Sequence, residues 1–187
     1  MKNVNPVTGA NQQLLQARNT NQVQQNYAYG RVNHVTTEDA QQAPDVVFGM
    51  FLANSNPATV LFDSGASHSF ISSRFVATHN LPIATMSHTM LVTSPGGEMK
   101  TRHLCPAVSV SIRGVDFLSN LIVLDSPGID IILGMDWLKK YDGVIHCAKR
   151  TVQLTGANGT KVEFVAAPST RTSVNPNKMK AILMEEI

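Results

Sequence analysis

The chain of 187 residues has few charged side chains, few aromatic ones and only two cysteines. Its 15 Lys and Arg against 13 Asp and Glu leave a net charge of +2, which excludes a strongly basic nucleic-acid-binding protein. No apolar run approaches the length of a membrane span, and the first residues lack the apolar core of a signal peptide. Two cysteines cannot build a disulfide scaffold, so we expect reduced thiols in a reducing compartment.

The first 45 residues are rich in amide side chains. They contain seven Asn and eight Gln with few aliphatic residues, and such a segment cannot bury enough apolar surface to offset the entropy of ordering. We therefore predict a flexible linker at residues 1–45, with a helix near Leu14 and Leu15 or a binding motif at Tyr27 and Tyr29 as alternatives. Ser, Thr, Asn and Pro return at residues 167–187, which are predicted to be a second linker. One folded domain is left, at residues 46–166.

The folded segment alternates short apolar runs with turn residues, which is typical of a closed β-barrel with one or two short helices. The Asn158-Gly159 pair is a strong hairpin signal, because both residues accept the backbone that a tight turn requires. The predicted elements are a hairpin with strands at 46–52 and 59–62, a helix between Gly65 and Pro82 that carries Phe70, Ile71, Phe75 and Val76, strands at 89–93, 107–112, 115–124 and 129–133, a helix at 134–141, and a hairpin with strands at 151–155 and 161–165.

A carboxylate stands at the end of an apolar strand, where Val60 to Phe62 leads directly into Asp63, Ser64 and Gly65. A carboxyl group at such a strand end points into a region that holds little water. Gly65 permits a tight turn, and the Ser64 hydroxyl can hold the loop by hydrogen bonds. The same residue types form ordinary turns after strands, so these positions alone leave a catalytic and a structural interpretation open.

A second apolar strand ends in glycine further along the chain, at Ile129 to Gly134, and a short helix follows it. A glycine-tipped hairpin at about 90–100 and a pair of strands lie between the two apolar strands. This order of elements resembles the retropepsin family of aspartic proteases over about residues 46–141. Residues 61–71 (LFDSGASHSFI) and 132–138 (ILGMDWL) are also similar to the protease segment of plant Ty3/gypsy-type retrotransposon polyproteins.

In those polyproteins, polar linkers join the protease to an upstream zinc knuckle and to a downstream reverse transcriptase. The resemblance therefore implies that the segment at 167–187 leads toward a further polyprotein domain. It also implies a cytoplasmic location, including virus-like particles.

The resemblance implies that Asp63 is the catalytic aspartate. Ser64 takes a place often held by Thr, and its hydroxyl would reach across to the loop of a partner chain, while Gly65 and Ala66 complete the active-site turn. Many retroviral members carry an Arg just after the second conserved glycine, whereas this chain has Met135 there. The residue that braces the active site of the dimer must therefore differ from the one in those members.

The resemblance also assigns residues to the binding of substrate. Pro95, Gly96 and Gly97 would form the tip of a flap that closes over a peptide. Ile132 and Asp130 would belong to a substrate pocket.

The expected chemistry requires two carboxylates that share one proton, one to activate water and the other to protonate the peptide carbonyl oxygen. This chain has a single Asp-Ser-Gly motif, and Asp130, Asp136 and Asp142 have no comparable setting at a strand end. We therefore predict a homodimer with one lobe per chain and Asp63 of both copies at the two-fold axis. Its substrate would be a peptide or polyprotein. Water is the nucleophile, so no metal or organic cofactor is expected.

The C-terminal hairpin at 151–165 is our candidate for the segment that joins the two copies. On this hypothesis, deletion of residues 151–166 yields a soluble monomer.

Two other chemistries fit parts of the sequence less well. The run at 65–69 half resembles a serine nucleophile elbow, but its last position is Ser rather than Gly, and the turn would be centred on Ser67. His103 with Cys105 and His146 with Cys147 could supply four zinc ligands, although neither pair has the spacing of a zinc finger.

A protein of another class remains the main alternative. The same fold could serve as a non-catalytic dimerisation or peptide-binding module, or the chain could be a decayed copy that no longer assembles. Retention of Asp63, Ser64 and Gly65 favours the enzyme.

Overall fold

The computed structural model describes residues 26–33 and 46–166 of the chain. The rest of the two predicted linkers, with the alternative helix near Leu14 and Leu15, lies outside the described residues. In chain order the elements are β1 (Tyr27–Arg31), β2 (Val47–Ala53), β3 (Asn56–Phe62), β4 (Phe70–Ser72), α1 (Ser73–Thr78), β5 (Ala84–Ser94), β6 (Gly97–Ile112), β7 (Val115–Leu124), β8 (Ile131–Leu133), α2 (Met135–Lys140), β9 (Val144–His146), a 3-10 helix (Cys147–Lys149), β10 (Thr151–Thr155) and β11 (Lys161–Val165).

Eight strands form one sheet, in the order β1-β5-β6-β2-β3-β8-β4-β7. The long strand β6 pairs with β5 in its first half and with both β2 and β7 further along, so six of the strands form a ring. Strands β5 and β1 extend outside this ring, and the sheet is therefore not a strict barrel. The prediction of a predominantly β lobe with one or two short helices is confirmed.

The central strands β3 and β8 are parallel neighbours and are covered on both faces. Because side chains alternate along a strand, their even and odd residues enter two different apolar clusters. Leu61 and Ile132 enter the smaller one, while Phe62 and Leu133 enter the larger one. We call the larger the main cluster. The second cluster consists of Val32, Val46, Leu61, Ala66, Phe70, Met90, Val92, Ile122, Leu124, Ile129 and Ile132.

Two hairpins turn through pairs of residues with left-handed backbone. In the first, Asn54 and Ser55 have φ of 47° and 65°, so the turn is shorter than the sequence pattern suggested and Pro57 pairs with Leu52 inside the strands. Both central residues of such a turn have positive φ, which matches the twist of the flanking strands. The short turn between β6 and β7 lies at the two residues between the predicted strands at 107–112 and 115–124, and both again have positive φ.

The structure corrects the predicted helix after Gly65. Phe70 and Ile71 lie in strand β4, which pairs with β7 on one side and β8 on the other, and the helix α1 begins only at Ser73. Two adjacent apolar residues fit a helix face as well as a strand buried on both faces. Here the free hydrogen-bonding edges of two neighbouring strands decide the outcome.

The linker prediction is wrong for residues 27–31, which form β1. This strand lies parallel to β5, with Tyr27 opposite Thr89 and Arg31 opposite Thr93. Its small residues face the protein, since Gly30 is buried and Ala28 is half-buried, whereas Tyr29 is 72% exposed. The alternation of small and large residues extends over a few positions only, and the polar tract around it hides the signal.

The C-terminal hairpin β10–β11 is part of the folded core. It forms a three-stranded sheet with β9, and Val152 and Leu154 are buried in the main cluster. Phe164 packs on Phe51, with ring centroids 4.7 Å apart, directly over Gly49. Deletion of residues 151–166 would uncover the main cluster, so we now expect it to unfold the lobe rather than to release a soluble monomer.

The two cysteines are not joined to each other. Cys105 is buried, and burial raises the pKa of its thiol, whereas Cys147 is exposed. Among the described residues, no group of three or more His, Cys, Asp or Glu side chains lies close enough to hold a metal ion. Within the described residues, the helices α1 and α2 are six residues long, and neither is long enough to cross a bilayer.

The packing of Phe164 gives a test of the C-terminal hairpin. We expect Phe164→Ala to lower the free energy of unfolding by about 2 to 3 kcal/mol, because the ring fills space over a glycine that has no side chain of its own. Val165→Ala, at a position that is 53% exposed, is the control. Chemical denaturation measures both, and equal unfolding free energies in the two variants would contradict this packing.

Candidate active site

Asp63 lies at the C-terminal end of β3, between β2 and β8. Its side chain is almost completely buried, with 4% of its surface exposed. Its backbone N–H donates to the carbonyl oxygen of Leu133 at 3.0 Å, and its carboxylate Oδ1 accepts a hydrogen bond from the N–H of Gly65 at 2.8 Å. The apolar strand run thus places a carboxylate inside the protein, and the following turn holds that carboxylate in one orientation.

The turn at 63–66 is closed by Gly134, the residue that follows β8. The Ala66 N–H donates to the Asp63 carbonyl at 3.1 Å, and the Met135 N–H donates to the Ala66 carbonyl at 2.9 Å. A Cβ on Gly134 would lie 2.3 Å from the carbonyl oxygen of His68, so a side chain there would push the two segments apart. The structure therefore brings the Asp-Ser-Gly-Ala turn and the glycine-ended strand into contact.

A pair of residues that the sequence analysis did not single out braces this turn. The Ser69 hydroxyl donates to Oδ1 of Asp136 at 2.6 Å and accepts from the N–H of Gly134 at 2.9 Å. The Ser69 N–H donates to the other oxygen of Asp136 at 3.2 Å. This bond network joins the segment after Asp63 to the first turn of α2, next to Met135. In the sequence, Asp136 gave only the signal of an acidic residue at a helix start.

The predicted flap is the hairpin of β5 and β6. Ser94 pairs with Gly97 in the register, so Pro95 and Gly96 form the connection. The Ser94 hydroxyl donates to the Gly97 carbonyl at 2.9 Å. Gly97 has a φ of 122°, a backbone conformation that residues with a side chain rarely adopt. All three predicted tip residues are exposed, as a flap that contacts a peptide requires.

The two residues predicted for a substrate pocket lie in different settings. Ile132 is buried in the second cluster together with Ala66 of the active-site turn. The Asp130 carboxylate instead accepts a hydrogen bond from the N–H of Thr59 at 2.8 Å, and its carbonyl accepts one from Ser72. These are the contacts of a residue that joins strands. Ser64 is exposed, and its predicted contact with a partner chain stays a prediction.

The segment that contains β1 reaches the active-site turn, which the sequence did not indicate. The N–H of Arg31 donates to the Ser67 hydroxyl at 2.8 Å, and the N–H of Ser67 donates to the Arg31 carbonyl at 2.9 Å. Asn33 lies so close to Gly65 that a Cβ there would be 2.1 Å from the Asn33 amide nitrogen. A side chain at position 65 would therefore require the exposed Asn33 amide group to move.

The rival serine chemistry is not favoured by this arrangement. Ser67 lies 2.9 Å from Nδ1 of His68, but its hydroxyl accepts the Arg31 N–H, and the turn joins two strands instead of a strand and a helix. The group that the structure places at this strand end is the buried carboxylate of Asp63. Asp136 and Asp130 are engaged in the structural bonds given above, which leaves Asp63 as the candidate catalytic carboxylate among these three.

Comparison with known proteins supports the same chemistry. A family model described as retroviral aspartyl protease matches residues 26–160, more than half of the chain. No curated protein matches the sequence at a significant level.

Among solved structures, the retroviral protease-like domain of Ddi1 from Leishmania major is similar over 68% of this chain and 98% of that domain, with 17% identity and a TM-score of 0.51. At this identity the likeness shows the fold, and the predicted retropepsin-like lobe is confirmed. The EIAV protease, solved in complex with the inhibitor HBY-793, aligns with 50% of this chain and 85% of its own, with 24% identity and a TM-score of 0.41.

The Ser69–Asp136 brace generates a testable prediction. Ser69→Ala leaves the Asp136 carboxylate and the Gly134 N–H without the buried hydroxyl, so we expect the free energy of unfolding to fall by about 1 to 3 kcal/mol. Ser87→Ala, at an exposed position of β5, is the matched control and should change stability little. Thermal and chemical denaturation would measure both variants. A Ser69→Ala protein as stable as the control would show that the brace contributes nothing.

Proposed function

The chain belongs to the retroviral aspartyl protease family, and we propose that it is an aspartic endopeptidase that is active as a homodimer. The observation that carries this proposal is the buried carboxylate of Asp63 at the end of β3, fixed by the N–H of Gly65. Each chain supplies one such carboxylate. The second one required by the chemistry is Asp63 of another copy, which places the site on a two-fold axis.

In the proposed reaction, the two Asp63 carboxyl groups divide the proton transfers between them. The ionised one takes a proton from water, which then attacks the peptide carbonyl carbon. The protonated one gives its proton to the carbonyl oxygen. Collapse of the tetrahedral intermediate breaks the C–N bond, and the carboxyl that took the proton from water gives it to the leaving nitrogen. The other carboxylate takes back a proton from the intermediate as the new carboxyl group forms, which restores the starting state. Water is the nucleophile, so the reaction needs no metal or organic cofactor.

The proposed substrate is an extended peptide that binds between the flap and the active-site turn. Its backbone would pair with the edge of the flap strand β5 that β1 occupies in the structure, since peptides bind to a strand edge by adding one more strand. The tip at 95–97 would close over it. Apolar side chains of the peptide would enter the second cluster, where Ile132 lies beside Ala66.

For the biological substrate we propose the polyprotein of a Ty3/gypsy-type retrotransposon, from which this domain would be cut together with its neighbours. The segments at 61–71 and 132–138 support this proposal by their similarity to plant elements. The proposed domain spans 46–166 with β1 as an added strand, between linkers that lead to other parts of the polyprotein. The proposed location is the cytoplasm, including virus-like particles.

The second candidate is a non-catalytic module for dimerisation or peptide binding. It is favoured by one comparison, because the similar domain from Leishmania major is described as the retroviral protease-like domain of a protein called Ddi1. The assay below separates the two candidates, since such a module forms dimers without cleaving peptides at any pH.

Replacement of the catalytic carboxylate tests the enzyme directly. Asp63→Asn keeps the shape of the side chain and an oxygen for the Gly65 N–H but removes the acid and base, so we expect peptide cleavage to fall by about 10³-fold or more while the dimer mass is unchanged. Asp116→Asn, at an exposed site on β7, should retain full activity. Cleavage of a peptide library with and without a statine-type inhibitor, alongside sedimentation, provides the measurement. Undiminished cleavage by the Asp63→Asn chain would refute the proposal.

The pH dependence follows from the shared proton. Two carboxyl groups at one site cannot both ionise cheaply, so the pair should lose its two protons in separate steps. Below the first step no base is left, and above the second no acid is left. We therefore expect a bell-shaped profile of kcat/KM with its optimum on the acidic side of neutrality. A rate that still rises above about pH 8 would contradict the mechanism.

A further inference from the structure

Residues 27–33, which we call the arm, run along the flap strand β5 and end at the active-site turn. We propose that the arm occupies the half of the peptide groove that its own chain provides, as a tethered peptide that excludes substrate until it is displaced. This inference rests on the proposed function, because it takes the groove between flap and turn as the place where substrate binds.

The backbone of the arm is bonded on both sides. On one side it pairs with β5 from Thr89 to Thr93, and the N–H of Val32 donates to the Thr93 carbonyl at 3.0 Å. On the other side, Arg31 exchanges two hydrogen bonds with Ser67, the residue that follows the active-site turn. A peptide that adds a strand to a sheet edge is held by such main-chain bonds. The arm uses the edge of β5 that the flap would offer to a substrate.

The side chains of the arm fill the apolar lining of the groove. Val32 is 1% exposed and belongs to the second cluster, in which Ile132, the predicted pocket residue, also lies. At Gly30 a Cβ would lie 3.4 Å from both Nδ1 of His68 and Sδ of Met90. A Cβ at position 30 would thus be in van der Waals contact with both side chains, so the groove accepts Gly or Ala there and a branched aliphatic residue at the position of Val32. We expect the same preference in peptides that bind there.

The end of the arm lies at the reacting group. Asn33 contacts Gly65, whose N–H binds the Asp63 carboxylate, and the guanidinium Nε of Arg31 donates to the Gly65 carbonyl at 3.3 Å. A substrate that places its scissile bond at Asp63 must pass through the space that Arg31 to Asn33 fill. Binding of the arm and binding of substrate to one half-site are therefore mutually exclusive.

A tethered competitor raises the apparent Kd of an external peptide. The local concentration of a segment joined by a short linker is on the order of 1 mM, so an arm that binds with a Kd of roughly 0.1 mM weakens an external peptide about tenfold. Displacement of the arm should restore this factor.

The test uses the full chain with Asp63→Asn, which prevents cleavage of the peptide. A fluorescein-labelled peptide with the sequence of residues 26–33 (NYAYGRVN) is titrated against it, and fluorescence anisotropy gives the Kd. Addition of Val32→Asp puts a charge into the second cluster and should release the arm, so the peptide should bind about tenfold more tightly. Tyr29→Asp introduces the same charge at an outward position and should leave the Kd unchanged.

A second variant keeps the test valid if the Val32→Asp chain does not fold. Gly30→Leu buries no charge but puts a large side chain against His68 and Met90, and it should also strengthen peptide binding about tenfold. Denaturation curves show which variants are folded. If the Val32→Asp chain is not folded, the Kd of the Gly30→Leu chain decides the test. The same Kd in all chains, or no binding to a folded arm variant, would overturn the inference.

This outcome is independent of the proposed enzyme activity. Every chain in the titration lacks Asp63, so peptide binding is measured without proteolysis. A protein that is not a protease would instead show itself in the cleavage assay of the unsubstituted chain.

Discussion

The constraint on which the structure depends is the burial of one carboxylate at a strand end. Asp63 can occupy that position because β3 is apolar on both faces and lies between β2 and β8, which satisfy its backbone hydrogen bonds. Directly behind it, Gly134 allows the turn to contact β8, and the Ser69–Asp136 pair ties the turn to α2.

The two apolar clusters of the lobe have different surroundings. The main cluster, with Trp137 and Phe62 at its centre, joins the sheet to α2 and the C-terminal hairpin and is closed by the chain itself. The second cluster lies on the side of the active-site turn and the flap, and Val32 of the arm contributes to it. On the proposal that the arm is a tethered competitor, this surface would be completed either by the arm or by a peptide. The site would then be regulated by a segment that is covalently part of the protein.

Features with local causes could be predicted from the sequence, and features with distant causes could not. The strand that ends at Asp63 and the turn at Arg113-Gly114 follow from the residues at those positions alone. The sequence predicts Phe70 in a helix, because an apolar pair fits a helix as well as a strand. Only pairing with the edges of β7 and β8 places this residue in a strand. The Ser69–Asp136 hydrogen bond joins residues 67 positions apart, so no local sequence pattern predicts it. Likewise, β1 depends on a flap edge that forms far along the chain.

The account makes one central claim, that each active site contains Asp63 from two chains. Unsubstituted and Asp63→Asn chains can be unfolded together, refolded in varied ratios and assayed for peptide cleavage at constant total protein. If both carboxylates are required, activity falls as the square of the unsubstituted fraction, to about one quarter in an equal mixture. Activity that falls in direct proportion, to about one half, would show that a single chain carries a complete site and would contradict the claim.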